Sequence, residues 1–183
     1  MITVELARQR LRAFAEHGAR GVSPLYEHLA TRAAADDEIA ALLTPAAPDF
    51  AQATLLLAAV HRVLQAEPVH ELAKYYPSLG GTCGVDGATW PVFRGFVLDR
   101  ADRVRELVAT RFTQTNEVRR AALVYPAVAL AAREARGPIG LLEAGCSAGL
   151  LLGLDRYGYR YQTEQAGQLV AGPARSPLGL HCA

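Results

Sequence analysis

The sequence predicts a mostly α chain, in which a multi-helix N-terminal region leads into the first β-α unit of an open α/β sheet. Three observations predict it. Apolar residues recur at three- and four-residue spacing through most of the first 137 residues, and no period-two run is convincing before Ile139. The stretch IGLLEAGCSAGLLLGLDRY, Ile139 to Tyr157, then runs from a short apolar segment through an acid and small residues into a second apolar segment. That is the pattern of strand, tight turn and helix. The expected organisation is a helical domain over 1–137 and the start of an α/β domain, with a loose C-terminal tail, over 138–183.

The elements follow in order. VELARQRLRAFAEHG places Val4, Leu6, Leu11, Phe14 and Ala15 near one helical face, with Gly18 and Gly21 as a stop. Ser23 with Pro24 is a start signal, because serine can cap orphan amides and proline has no amide to orphan. SPLYEHLATRAAA and DDEIAALL continue as helices, and FAQATLLLAAVHRVLQAE is apolar enough to be a central one. PVHELAKYYP gives a short helix, and PSLGGTCGVDGATWP a glycine-rich loop. PVFRGFVLDRADRVRELVATRF is the longest helical pattern, with Asp99 and Arg103 able to pair across one turn. TNEVRRAALVYPAVALAAREARG opens with Thr115 or Asn116 as cap and should kink near Ala122, because Pro126 removes an amide. After Tyr157, GYRYQT reads as a second strand and AGPARSPLGLHCA as loop or loose tail.

Composition narrows the function. Nineteen basic residues are balanced by eighteen acids interleaved with them, so no basic track for nucleic acid is evident. Three scattered cysteines make no disulfide framework and point to a reducing cytoplasm. The charged N-terminus is no signal peptide, and no apolar run approaches the roughly 18 residues of a membrane span. No histidine has metal-ligand spacing with a cysteine or with another histidine, so no metal site is expected.

Two chemistries use a turn like GCSAG, Gly145 to Gly149. A nucleophile elbow would make Ser147 the attacking group. That reading needs strands upstream and an acid and histidine downstream, where the chain offers helices, Asp155 or Glu164, and the tail residue His181. The second reading includes Glu143 at the end of a buried strand, where open sheets bind ligands. Gly145 then turns the chain and bares backbone to a ligand, Ser147 offers a hydroxyl, and Gly149 lets the following helix approach. The free amides of LLLGLDRY would receive an anionic group. G-x-G-x-x-G is not matched, because Ser147 stands at its second glycine.

E-x-G-x-S-x-G resembles the first motif of Rossmann-like S-adenosylmethionine-dependent methyltransferases, with Ser147 in place of the middle glycine. The resemblance implies S-adenosylmethionine as cofactor, with Glu143 near its amino end. It places the turn Gly145, Cys146, Ser147, Ala148 and Gly149 against its methionine part. The ordered blocks SPLYEHLA, LLLAAVHRVL, YYPSLGG, QTNEVRRAALVYPA and LLEAGCSAGLLLGLDRYGYRY are similar to one uncharacterised bacterial family, the domain-of-unknown-function 2332 family. That resemblance implies a helical half followed by a methyltransferase-related half, of which this chain would be the N-terminal portion. In that fold the helix start at Asn116 also approaches the cofactor. The alternative is a non-catalytic module that binds a ligand or a partner. An incomplete sheet would expose its edges, so self-association is expected.

Other residues have simpler readings. His61, between Leu57 and Leu64 on an apolar helix, reads as a neutral core histidine. Cys146 has no partner base in view and reads as a turn-filling residue. YYPSLGG, Tyr75 to Gly81, leaves two readings open: a loop that closes over a site, or one that packs its rings on the helices.

Overall fold

A computed structural model describes residues 1–114 and 116–182. The chain divides into two compact units, Met1–Thr113 and Gln114–Ala183.

In the N-terminal unit, local capping chemistry sets the helix starts. Thr3 Oγ1 accepts the Leu6 amide at 3.2 Å and opens α1 (Val4–Phe14), which widens into a further turn over Ala15–Ala19. Ser23 Oγ accepts the Tyr26 amide at 3.3 Å and Pro24 takes the first position of α2 (Pro24–Ala33), as the Ser-Pro signal predicts. Asp36 Oδ1 accepts the amides of Glu38 and Ile39 and opens α3 (Asp37–Ala41), while its other oxygen takes Arg94 Nε at 2.6 Å. The central helix is α4 (Ala53–Gln65). Leu55, Leu56, Leu57, Val60, Val63 and Leu64 are all buried on it, each contributing roughly 1.5–3 kcal/mol of apolar transfer. Two short 3-10 turns follow, Glu71–Tyr75 and Pro77–Leu79.

The longest helical pattern is two helices, α5 (Thr89–Asp99) and α6 (Ala101–Thr110), hinged at Arg100 with φ −123° and ψ 22°. Long-range partners explain the break. Arg100 Nε donates to Glu67 Oε2 at 2.8 Å, and its guanidinium lies 4.2 Å from the centre of the Phe96 ring. Arg103 Nη1 donates to Glu67 Oε1 at 3.1 Å, so it pairs with Glu67 and not with Asp99. One carboxylate just beyond α4 thus gathers two guanidiniums across the corner, an arrangement that neither helix's periodicity encodes.

The C-terminal unit begins at Gln114, so the helix α7 (Arg120–Glu134) belongs to it, and the observed division lies upstream of the expected one at residue 137. α7 packs against the 3-10 segment Leu150–Arg156 and against the strand at Gly179–Cys182. Its start also differs from the expectation: Glu117 Oε1 accepts the Arg119 amide at 2.9 Å, three residues beyond Asn116. Thr115, the other expected cap, lies outside the described residues.

Strand β1 (Gly158–Thr163) forms where GYRYQT is predicted to be extended. The tail after it is also structured. β2 (Gly167–Ala171) pairs antiparallel with β1, and β3 (Gly179–Cys182) pairs parallel with it, giving the order β2-β1-β3. Period two is obscured in these strands, because β2 is exposed along most of its length and β3 has four residues. Ile139–Leu142, expected as a strand, pairs with none among the described residues, and Leu142 is 93% exposed. Parallel strands are ordinarily flanked and covered on both faces, and no strand among the described residues flanks this one. The chain is therefore mostly α with a small mixed sheet, and among the described residues no helix is long and apolar enough to cross a membrane.

Gly81 tests the packing of the loop. A Cβ there would lie 2.5 Å from the Lys74 carbonyl oxygen and would also clash with that of Ala73. Gly81→Ala should therefore destabilise the N-terminal unit by about 1–3 kcal/mol, the usual cost of overpacking. Calorimetry of the variant with an unchanged melting temperature would show that the loop yields.

Candidate functional site

The glycine turn is built from left-handed backbone. Gly145 has φ 72°, Ser147 φ 51° and Gly149 φ 69°, and Ser147 is the one non-glycine residue with positive φ among the described residues. Such a conformation costs an L-residue roughly 1–2 kcal/mol, so neighbouring contacts must hold it. Gly149 donates its amide to the Cys146 carbonyl at 2.7 Å and closes the turn, and the Ser147 hydroxyl donates to Gln114 Oε1 at 3.2 Å. A Cβ on Gly145 would meet nothing within 4 Å, and one on Gly149 only Leu152 Cδ1 at 3.7 Å. Glycine is therefore used here for its dihedral freedom, and at Gly145 the bare backbone faces open space. The three left-handed residues alternate with residues that do not have positive φ.

Glu143 lies at the entrance to this turn and is half-buried. Its Oε2 is shielded from solvent and has no hydrogen-bond partner. A carboxylate oxygen withdrawn from water without a donor costs about 1–3 kcal/mol or more. The structure thus keeps an acceptor unused beside a backbone cradle. Ala148 is exposed, and Cys146 is half-buried with its thiol 3.9 Å from the Ser147 carbonyl. Among the described residues of the QTNE segment, Gln114 touches the turn through Ser147, while Asn116 is exposed. No sequence signal separates those two amides, because contact depends on where the segment runs before α7.

The segment after the turn is a 3-10 helix of seven residues, Leu150–Arg156, in place of the expected α-helix. It is too short to carry an appreciable dipole, so the donors available to an anion are those of the turn itself. For the elbow reading, Ser147 is bonded to a glutamine, and His181 lies on β3. Among the described residues no cluster of histidine, cysteine and acids could hold a metal ion.

The YYPSLGG segment packs its rings. Tyr75 donates its hydroxyl to Asp86 Oδ1 at 2.9 Å, and that same oxygen accepts the amides of Ala88 and Thr89. Tyr76 stacks on His61 with ring centres 5.3 Å apart, and Ser78 Oγ lies 2.9 Å from His61 Nε2. His61 is half-buried and held by the Ser78 side chain, where the expectation was a neutral core histidine bonded to backbone. Burial pushes its pKa below the ordinary histidine value. His28 is lowered as well, by burial first and then by the nearby charge of Arg32, with Asp86 opposing.

The architecture is mostly α with a small mixed sheet, and the turn that follows Glu143 is built on three left-handed residues. The chain belongs to the family described as an uncharacterized protein conserved in bacteria (DUF2332), whose profile matches residues 8–183. No curated protein and no solved structure matches the chain.

Two outcomes follow. With folded pKa values of His28 and His61 below the unfolded value of about 6.5, the unfolded chain binds more protons in that window. Stability of the N-terminal unit should therefore rise with pH up to about 6.5 and level off above it. Urea midpoints between about pH 5 and 7.5 would show this, and His61→Phe should flatten the slope. A fluorophosphonate probe should leave Ser147 unlabelled, as read by peptide mass spectrometry, because its partner is Gln114 and not a base.

Proposed function

We propose that the Glu143–Gly149 turn binds the amino-acid end of a small molecule of the S-adenosylmethionine type, and that the protein is methyltransferase-like. The observation that carries this reading is the shielded Glu143 oxygen, without a partner among the described residues, two residues before a turn with three left-handed residues and open space over Gly145. A carboxylate acceptor suits an ammonium or hydroxyl group, and a concavity of backbone amides suits a carboxylate. An α-amino acid presents both groups two bonds apart. Glu143 would take the amino group, and the amides about Gly145 and Ser147 would take the carboxylate, since that of Gly149 is spent on the Cys146 carbonyl.

Catalysis in such a protein consists mainly of holding donor and acceptor in line for methyl transfer. This reading also carries a cytoplasmic location, in keeping with the free thiols of Cys83, Cys146 and Cys182. The outer strands β2 and β3 support pairing with a second copy, since Leu169 and Val170 on β2 are exposed.

A binding module without turnover is the second reading. It is favoured by the 3-10 segment after the turn and by the unpaired Ile139–Leu142, which give the turn less support than a strand and an α-helix would.

Calorimetric titration with S-adenosylmethionine and S-adenosylhomocysteine tests the proposal. Binding of both is expected, with Glu143→Gln weakening it about tenfold, or about 1.4 kcal/mol, and leaving the melting temperature unchanged. Failure of the folded protein to bind either ligand at millimolar concentration would sink the reading. Methyl release from the donor separates the enzyme from the module.

A further inference from the structure

We propose that the N-terminal unit contains a second small-molecule site, a cleft that takes a neutral aromatic molecule whose carbonyl oxygen accepts the Tyr76 hydroxyl. The site lies within Met1–Thr113 and does not rest on the glycine turn.

The cleft has a volume of about 450 Å³ and is formed by the start of α2 and the segments around Tyr76 and Cys83. That lies within the range of small-molecule pockets. Leu25, Pro77 and Val85 supply apolar wall, and Tyr26 and Tyr76 supply rings. Among the described residues no charged side chain lines it. A charged ligand would enter without a counter-ion, at a desolvation cost that a neutral one escapes.

Tyr76 is the group that points to a ligand. It is 2% exposed, yet its hydroxyl has no hydrogen-bond partner. Buried phenols ordinarily find one. The ring cannot easily turn to seek it, being stacked on His61 at 16° and met edge-on by Tyr26 at 6.3 Å. Its neighbour Tyr75 has its hydroxyl satisfied by Asp86, so the orphan is particular to Tyr76. Burial, with Tyr26 adding to it, keeps the Tyr76 phenol protonated well above the usual tyrosine range. It is therefore a donor awaiting a neutral acceptor, and the tyrosine rings around it favour an aromatic body.

Cys83 lines the same cleft and is exposed, so its alkylation reports occupancy. The rate of iodoacetamide modification at Cys83 would be followed by peptide mass spectrometry on the full chain. The probes are acetophenone, which carries a carbonyl, and cumene, which is close to it in size and carries none. Acetophenone should slow Cys83 modification saturably and bind about fivefold more tightly than cumene, the weight of one ordinary hydrogen bond. Rates at Cys146 and Cys182 in the same digests should not change. Tyr76→Phe keeps the ring stack and should abolish the preference for acetophenone without lowering the melting temperature. The proposal is overturned if acetophenone gives no protection, if cumene protects equally in the wild type, or if the preference survives in Tyr76→Phe. The wild-type comparison of the two probes decides the matter even if that variant were unstable.

Discussion

Three tyrosine hydroxyls fix the architecture of the C-terminal unit. Tyr157, Tyr159 and Tyr161 alternate into the start of β1, and each donates to a backbone carbonyl. Tyr157 reaches Leu150 at 2.6 Å, Tyr159 reaches Leu154 at 2.6 Å, and Tyr161 reaches Ala122 at 2.9 Å. The last of these resolves the proline in α7. Pro126 has no amide to give the carbonyl four residues before it, which is that of Ala122, and the phenol of Tyr161 supplies the missing donor. The helix consequently runs through Pro126 from Arg120 to Glu134. The rings then stack, with Tyr125 and Tyr159 centres 4.3 Å apart, and close a small core with Ala121, Leu154 and Leu180.

This scaffold leaves the glycine turn free of structural duty. α7 is tied to β1 by Tyr161, and Leu150–Arg156 by Tyr157 and Tyr159, while the residues between them are mostly exposed. Within the turn the side-chain tie that holds the left-handed Ser147 is Gln114. A strained, open segment mounted between fixed elements is where binding chemistry can be accommodated without loss of core packing. Glu143 adds a polar atom that folding alone leaves unsatisfied.

The N-terminal unit shows the same contrast by other means. Its core is a leucine-rich central helix with neighbours packed on it, and its polar groups are largely matched. Asp36 combines two amides with Arg94, and Glu67 combines Arg100 with Arg103. Against that background the shielded, partnerless atoms of Tyr76 and His28 are exceptions. The tight packing of Gly81 against the carbonyls of Ala73 and Lys74 holds the loop that carries Tyr76 in place.

Capping serines and acids, apolar spacing and the Glu143–Gly149 pattern determined by themselves where α1, α2, α4 and the sharp turn lie, because each depends on residues within about one turn of one another. The central place of α4 followed from the same spacing, since a helix apolar on most sides must be covered. Tertiary structure alone decided the hinge at Arg100, where the deciding carboxylate, Glu67, lies 33 residues away. It also decided that Ile139–Leu142 finds no strand to pair with, and that β2 and β3 join β1. It chose Gln114 to hold Ser147 and left the Tyr76 hydroxyl without a partner. The reason is common to all of these. A hydrogen bond or strand pairing between distant segments depends on where the chain brings them, and local periodicity carries no record of that meeting.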